Sequence, residues 1–277
     1  MQLHRLIGAL GAEVRGLALA DDLDGDVFAA LNAAWHEHGL LVFRDQDLDP
    51  AALAAFAGRF GALGTYPFVA PLPGHPHVIP VIKEADQRMN FGGAWHSDTA
   101  YLPRPPRATC LYAVEIPPRG GDTLFADMRL AFEALSGGMQ AMLAERGAVF
   151  SAAGVHGATG AYTTAGDHPM ARRDDTALAE SEIEHPLVRT QPHTGRRAIY
   201  CSPTHTTRLA GMHAHESRPL LEWLYLHCTA PEFVTRLRWA PGTVAIWDNR
   251  VVQHHALNDY AGARREMWRV IVEDEDS

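Results

Sequence analysis

The sequence predicts an α+β fold that is mainly β, a jelly-roll-like sandwich with flanking helices. Strand-like runs fill the second half of the chain, whereas helical patterns gather toward its start. The strand-like runs are short and separated by turns, in keeping with 24 Gly and 18 Pro residues. With 277 residues, of which 47% are hydrophobic, the chain can bury one large core. We therefore expect a single domain over residues 1–277.

The first half of the chain carries two clear helical patterns. Apolar residues recur at helical spacing over residues 26–38, and Gly39 is placed to end that helix. Residues 40–43 are then typical of a buried strand. Asp49 followed by Pro50 is a typical helix start, because Asp accepts hydrogen bonds from free N–H groups and Pro has no N–H to satisfy.

The rest of the chain reads as loop, short helices and strands. Most of residues 64–94 is predicted to be loop, and helices are predicted after Asp127, after Ser136 and from Ser217 onward. The predicted strands are residues 109–116, 187–190, 197–201, 233–239, 243–248, 251–256 and 265–272. Residues 151–182 fit neither the helical nor the strand period, and we interpret them as a lid or insertion.

Charge and cysteine content narrow the function classes. The net charge of −9 argues against non-specific nucleic-acid binding, which requires Lys and Arg to meet phosphates. The three cysteines are odd in number and far apart, which is typical of a reduced cytoplasmic protein. The sequence indicates neither a secretory signal at the start nor a membrane span. We expect a cytoplasmic protein that acts on small molecules, and the sequence leaves open whether it forms a homo-oligomer.

A candidate metal site begins at Trp95-His96-Ser97-Asp98. In an extended segment, His96 and Asp98 point to the same face, so both could reach one ion. His254 lies in a late predicted strand and supplies a third candidate ligand, whereas His255 points to the opposite face and is interpreted as structural. Two His and one carboxylate leave coordination positions open, as in non-haem iron(II) oxygenases. Alone the pattern is weak, since a chain with 16 His residues produces such pairs by chance.

A second signal is the strand at residues 265–272. Arg265 and Arg269 share one face of this strand. Buried guanidinium groups need a partner, and an anionic ligand that accepts bidentate hydrogen bonds would provide it. The alternative is that both arginines lie on an exposed sheet face. Asp248 and Asn249 are interpreted first as turn formers.

Taken together, these motifs resemble the taurine dioxygenase and phenoxyacetate dioxygenase family of iron(II)- and 2-oxoglutarate-dependent oxygenases. The resemblance covers nearly the whole chain, and the spacing between the motifs also matches. The segments that carry it are residues 7–16, Trp95-His96-Ser97-Asp98, Pro117-Pro118-Arg119-Gly120-Gly121-Asp122-Thr123-Leu124-Phe125-Ala126-Asp127, Trp247-Asp248-Asn249-Arg250-Val251-Val252-Gln253-His254 and Asn258-Asp259-Tyr260.

The resemblance implies the fold, the cofactors and a role for each site residue. The implied fold is the double-stranded β-helix, and the implied iron ligands are His96, Asp98 and His254. Thr123 and Arg265 would bind the distal carboxylate of 2-oxoglutarate. Arg269 would face both the cosubstrate and an acidic group of the substrate. Tyr66 is a further candidate for substrate binding.

The implied reaction is oxidation of a substrate C–H bond with dioxygen, releasing succinate and carbon dioxide. Gly92 stands where taurine dioxygenase has an asparagine that contacts the taurine amine, which disfavours taurine. We expect a small, anionic substrate of the alkyl sulfonate, alkyl sulfate or aryloxyalkanoate type, with an apolar wall from residues 68–73. The alternatives are the same chemistry on a neutral or zwitterionic metabolite, a metal-dependent hydrolase and a non-catalytic metal-binding fold. Asp98 disfavours halogenation, because halogenases of similar fold lack the carboxylate ligand.

Overall fold

A computed structural model describes residues 1–164, 170, 173 and 175–274, which form short strands and α-helices. The strands are β1 Gln2–Arg5, β2 Ala12–Arg15, β3 Leu40–Phe43, β4 Ile79–Lys83, β5 Ala108–Glu115, β6 Thr123–Asp127, β7 Gly147–Phe150, β8 Ile183–Pro186, β9 Val188–Thr190, β10 Arg197–Ile199, β11 Thr206–Leu209, β12 Val234–Leu237, β13 Val244–Asp248, β14 Val252–Ala256 and β15 Arg265–Val272. The helices are α1 Gly25–His38, α2 Pro50–Gly58, α3 Met128–Glu133, α4 Gly137–Ala144, α5 Ala153–His156, α6 Ala161–Thr164, α7 Thr176–Glu180 and α8 Ala214–Cys228.

The strands form one large sheet and three small ones. The large sheet has the order β1-β2-β3-β13-β5-β15-β4, and its pairs are antiparallel except β2 with β3. The small sheets have the orders β12-β6-β14, β11-β7-β8 and β10-β9. The predicted mainly β architecture is therefore confirmed, and the predicted strands of residues 187–190 and 197–201 form the antiparallel pair β9–β10.

The large sheet is buried on both faces. In β3, Leu40 and Val42 face a core shared with the small sheets, whereas Leu41 and Phe43 face a second core that includes residues of α1 and α2. This two-sided burial explains why residues 40–43 are continuously apolar rather than alternating. Helices α1 and α2 flank one face of the sheet, and the site described below lies against the other, where the core also includes residues of α3, α4 and α8.

The helix starts and stops follow local chemistry. Asp24 and Asp49 cap α1 and α2 through their carboxylates, and α1 ends at Gly39 with φ of 69°. The predicted start of α8 at Ser217 is wrong, because the helix begins one turn earlier. There the Glu216 carboxylate accepts a hydrogen bond from the backbone N–H of His213, in a capping box.

Strand β4 lies inside the segment predicted to be mostly loop. Pro80 obscured it in the sequence, because proline lacks the N–H that a central strand would need. The structure resolves this conflict by placing β4 at the edge of the large sheet, beside β15. Strands β6 and β7 were also not predicted, and β6 is central to the small sheet β12-β6-β14.

Two further expectations can be compared with the described residues. Cys110, Cys201 and Cys228 are all buried free thiols, as expected. No helix in this part of the chain combines the length and apolar character needed to cross a membrane.

A tight turn before β6 sets the position of Thr123. Gly120 adopts φ of +74°, and a Cβ added there would lie 2.6 Å from the backbone oxygen of Asp259. The Asp259 carboxylate accepts a hydrogen bond from the Gly121 N–H at 2.7 Å. The turn therefore joins the segment around residues 117–123 to the loop that follows β14, and only glycine fits this close approach.

We expect Gly120→Ala to lower the free energy of unfolding by about 1–3 kcal/mol, because it adds a steric conflict to an unfavourable φ. Gly211→Ala is the matched control, since Gly211 has φ of +73° but no atom within 4 Å of an added Cβ. Urea unfolding of both variants should show the larger loss at Gly120. Equal losses would mean that the contact with Asp259 is unimportant.

Candidate active site

The site is built on a backbone bridge between two distant segments. The His96 N–H donates to the His254 carbonyl at 3.0 Å, and the His254 N–H donates back to the His96 carbonyl at 2.9 Å. This exchange places the two imidazole rings 4.1 Å apart between centroids. The structure thus places His254, on the late strand β14, beside His96.

Asp98 completes the cluster. Its Oδ1 lies 3.7 Å from His96 Nε2, and its Oδ2 lies 4.0 Å from His254 Nε2. One donor atom from each of the three residues lies within 4.8 Å of the others, and all three residues are buried. Asp98 also accepts hydrogen bonds from Thr109 Oγ1 at 2.6 Å and from Arg269 Nη1 at 3.3 Å.

The protonation states in this cluster suit a metal ion. Burial by itself would raise the pKa of Asp98, but Arg269 and the two histidines outweigh it and hold that pKa well below its usual value. Burial lowers the pKa of His96, and burial together with His96 lowers the pKa of His254 strongly. Near neutral pH the site therefore presents one carboxylate and two neutral imidazoles, which are the forms that bind metals.

The ring orientation of His96 also suits metal binding. Its Nδ1 lies 2.7 Å from the Ala94 carbonyl oxygen, which can only accept. Nδ1 must therefore carry the hydrogen, so that the Nε2 lone pair faces Asp98 and His254. The donor set, the burial and the protonation states fit iron(II) held by two histidines and one carboxylate.

A small cavity beside the cluster brings the predicted cosubstrate residues together. It is lined by His96, His254, Thr123, Arg265 and Arg269, among others. Both arginines are buried on the same face of β15, as predicted. Nε and Nη2 of each have no hydrogen-bond partner among the described residues, and burial lowers the pKa of Arg265. An anionic ligand would stabilise these groups, because burying a cation without hydrogen bonds costs free energy.

The hydroxyl of Thr123 is oriented by a residue that the sequence analysis missed. Trp239 Nε1 donates to Thr123 Oγ1 at 2.9 Å, and both side chains are buried. An indole N–H can only donate, so the Thr123 hydrogen is left to donate elsewhere. Thr123 can therefore offer a hydrogen bond to a carboxylate in the small cavity.

A larger cavity of about 250 Å³ lies on the other side of His96 and Arg269. Tyr66, the predicted substrate residue, lines it beneath Arg269, whose guanidinium carbon is 4.3 Å from the Tyr66 ring centre. The Tyr66 hydroxyl lies 3.1 Å from His156 Nε2. The cavity therefore combines an aromatic wall with one buried cation next to the metal cluster.

Other lining residues were not found from the sequence. They are Tyr101, His156, Tyr162 and His205, together with Phe91 and Asn90. Burial lowers the pKa of His205 to about 3, so its ring is neutral near neutral pH. No local pattern marks these residues, because they come from four separate segments that meet only in the folded chain.

Two expectations about the site need correction. Residues 68–73 do not line the larger cavity, and Phe68 instead lies behind it, stacked on His156 with ring centres 4.1 Å apart. Asn249 is more than a turn former, because its side chain bonds to Trp247 and Thr109. Asp248 does accept a bond from the Arg250 N–H in a local turn. His255 lies outside the cluster, with its ring against Trp95 at 5.6 Å.

Comparisons with known proteins agree with this geometry. The sequence profile of the family described as "Taurine catabolism dioxygenase TauD, TfdA family" matches residues 2–271. The chain is 32% identical to an alpha-ketoglutarate-dependent sulfate ester dioxygenase of Pseudomonas putida, over 99% of this chain and 90% of that protein. It is 35% identical to an (S)-phenoxypropionate/alpha-ketoglutarate-dioxygenase of Delftia acidovorans, over 97% of this chain and 93% of that protein.

A solved structure is similar over almost the same length. A taurine dioxygenase from Burkholderia xenovorans superposes with a TM-score of 0.81 at 31% sequence identity, covering 99% of this chain and 89% of that one.

The metal ligands can be tested one at a time. We expect His96→Ala, Asp98→Ala and His254→Ala each to abolish turnover and to weaken Mn(II) binding strongly, because each removes a donor atom from the cluster. His255→Ala is the control and should retain metal, since its ring packs against Trp95. Metal content and circular dichroism are measured for each variant. Loss of metal in His255→Ala but not in His254→Ala would show that the third ligand is wrongly assigned.

Proposed function

This chain belongs to the TauD, TfdA family of dioxygenases, and we propose that it oxidises a C–H bond of a small anionic substrate with an apolar body. It is a non-haem iron(II)- and 2-oxoglutarate-dependent dioxygenase, so the hydrolase and the non-catalytic alternatives are set aside. The substrate classes we propose are alkyl sulfates, alkyl sulfonates and aryloxyalkanoates. The observation that carries this is the pair of buried arginines, with Arg265 lining the small cavity alone and Arg269 lining both the small cavity and the larger one.

When bound, iron(II) and 2-oxoglutarate would activate dioxygen, which is the oxidant for the C–H bond, and 2-oxoglutarate would leave as succinate and carbon dioxide. The protein contributes binding and orientation. We assign His96, Asp98 and His254 to the iron. We assign Arg265 and Thr123 to the distal carboxylate of 2-oxoglutarate, because Nε and Nη2 of Arg265 have no hydrogen-bond partner among the described residues and the Thr123 hydroxyl already accepts from Trp239, which leaves its hydrogen to donate.

Arg269 is assigned to both ligands. It lines the small cavity and the larger one, so its charge lies between the cosubstrate and the substrate. One of its nitrogens, Nη1, bonds to Asp98, while Nε and Nη2 have no hydrogen-bond partner among the described residues. A sulfate, sulfonate or carboxylate on the substrate would satisfy them, and the Tyr66 hydroxyl is near enough to contribute.

The rest of the larger cavity suits an apolar body. Aromatic and aliphatic side chains of Phe91, Tyr162 and Val155 form much of its wall. Gly92 has φ of +75°, and a Cβ added there would lie 3.2 Å from His96 Cε1. Because glycine has no side chain, this position cannot hold an amine as the asparagine of taurine dioxygenase does.

We also propose a fold type for the whole chain and a role for the segment 151–182. We assign the facing sheets to the double-stranded β-helix, in a single domain over residues 1–277. Val155, His156, Ala161 and Tyr162 line the larger cavity, which supports the interpretation of this segment as a lid. Residues 165–169, 171–172 and 174, which belong to the same segment, lie outside the described residues.

A second candidate keeps the same chemistry but uses a neutral or zwitterionic substrate. It is favoured by the bond between Arg269 and Asp98 and by the position of Arg269 in the small cavity. Arg269 would then serve only to orient the cosubstrate and the metal ligand.

The cosubstrate assignment predicts a graded loss of 2-oxoglutarate affinity. Arg265→Ala should weaken binding by about 2–5 kcal/mol, the usual effect of removing one partner of a buried charge pair. Thr123→Val should cost about 1–3 kcal/mol for a lost hydrogen bond to a charged group. Arg264→Ala is the control, because Arg264 is paired with Glu84, Glu115 and Glu266. Titration of 2-oxoglutarate into the Mn(II)-loaded protein measures all three, and unchanged affinity in Arg265→Ala would contradict the assignment.

The substrate class is tested by succinate formation above the uncoupled background with matched anionic, neutral and amine-bearing compounds. We expect the anionic apolar compounds to be preferred. Arg269→Gln should raise the KM of the best substrate about tenfold or more, because a charge-assisted hydrogen bond is lost.

The affinity of Arg269→Gln for 2-oxoglutarate separates the two candidates. An unchanged KM together with a weakened 2-oxoglutarate affinity would favour the neutral or zwitterionic substrate. Preference for taurine or another amine would contradict the proposed class.

A further inference from the structure

A directed chain of hydrogen bonds runs behind the metal cluster from Trp247 to Asp98. Trp247 Nε1 donates to Asn249 Oδ1 at 2.9 Å. Asn249 Nδ2 donates to Thr109 Oγ1 at 3.0 Å, and Thr109 Oγ1 donates to Asp98 Oδ2 at 2.6 Å. All four residues are at most 2% exposed. In so dry an environment, losing any of these bonds leaves a polar group unsatisfied.

Chemistry allows only one direction for this chain. The indole N–H of Trp247 can only donate, so it fixes the amide oxygen of Asn249 as its acceptor. The amide nitrogen of Asn249 must then face Thr109 and donate to it. The single hydroxyl hydrogen of Thr109 is left for Asp98, whose carboxylate can only accept. The orientation of the Asn249 amide therefore follows from its neighbours.

The chain also connects two of the proposed iron ligands. The Trp247 ring packs against the His254 ring with centres 4.7 Å apart, and its N–H starts the chain that ends on Asp98. Strand register makes this possible, because Trp247 and Thr109 are direct partners in the pairing of β13 with β5. One turn residue, Asn249, thus couples the strand beneath His254 to the carboxylate.

We propose that Thr109 and Asn249 are positioning residues for the metal site, holding Oδ2 of Asp98 so that the carboxylate presents Oδ1 to the ion. The proposal rests on the assignment of Asp98 as an iron ligand. Oδ1 lies 3.7 Å from His96 Nε2 and also accepts a hydrogen bond from Arg269 Nη1 at 3.3 Å, whereas Oδ2, the oxygen that Thr109 holds, lies 4.0 Å from His254 Nε2. A carboxylate held in this way takes one coordination position instead of two, which keeps positions open for 2-oxoglutarate and dioxygen.

The test measures Mn(II) affinity, by the electron paramagnetic resonance signal of free Mn(II), on the full chain without turnover. Thr109→Val keeps the shape and removes the hydroxyl, and it should weaken Mn(II) binding roughly 10–100-fold, the usual effect of losing such a support. Thr109→Ser keeps the hydroxyl and should bind Mn(II) nearly as the wild type does. Thr243→Val is the control, because this buried hydroxyl bonds to Arg44 and Ala240. It should leave Mn(II) affinity unchanged.

Asn249 offers an independent variant in case Thr109→Val does not fold. Asn249→Ala should also weaken Mn(II) binding, and the double variant with Thr109→Val should be no weaker than Thr109→Val alone, because Asn249 acts through Thr109. Circular dichroism establishes that each variant is folded.

Three outcomes would overturn the proposal. The first is wild-type Mn(II) affinity in a folded Thr109→Val or Asn249→Ala protein. The second is a loss in Thr109→Ser as large as in Thr109→Val, which would assign the effect to packing. The third is equal Mn(II) binding by wild type and Asp98→Ala, which would remove the ligand assignment itself and the proposal with it.

Discussion

Two backbone hydrogen bonds between His96 and His254 hold this site together. They join a loop after β4 to β14, segments far apart along the chain, and they set the distance between the two imidazoles. The small sheet behind them fixes β14 against β6, which also carries Thr123. The metal cluster lies on the His96 loop and β14, and the proposed cosubstrate residues lie on β6 and β15. Because β14 pairs with β6, a shift in one of these sites would displace the other.

The positions of these residues also determine which buried charges are compensated by a neighbour. Asp98 is ionised although it is buried, because the charge of Arg269 and the hydrogen bond from Thr109 compensate for its desolvation. Arg265 has no comparable partner among the described residues, and Nε and Nη2 of both arginines lack hydrogen bonds there. The folded protein therefore carries unfavourable buried charge that an anionic ligand would relieve. Functional sites commonly lower the stability of the folded protein in this way while favouring ligand binding.

The residues that line the larger cavity differ from those that support the metal ligands. Tyr66, Phe91, Tyr101 and Tyr162 give the larger cavity part of its shape, and Arg269 provides a buried cation above the Tyr66 ring. Behind the cluster, Thr109, Asn249 and Trp247 form a buried hydrogen-bonded layer that does not line the larger cavity. Preorganisation of this kind limits reorganisation when ligands bind.

The sequence by itself determined the parts of this protein that depend on local chemistry. Caps such as Asp49, the stop at Gly39 and the period-2 placement of Arg265 with Arg269 depend on residues a few positions apart. The motif Trp95-His96-Ser97-Asp98 and its separation from His254 could also be identified from the sequence, because it gives the types of the ligands and their spacing directly.

Tertiary structure decided everything that depends on register and long-range approach. The pairing of Trp247 with Thr109, the bond from Trp239 to Thr123 and the contact of Tyr66 with His156 join segments with no shared local pattern. Strand β4 shows the same limit, because Pro80 argues against a strand until the sheet places it at an edge. The physical reason is that side-chain period and capping act within a few residues, whereas the pairing of strands is chosen by the burial of the whole core.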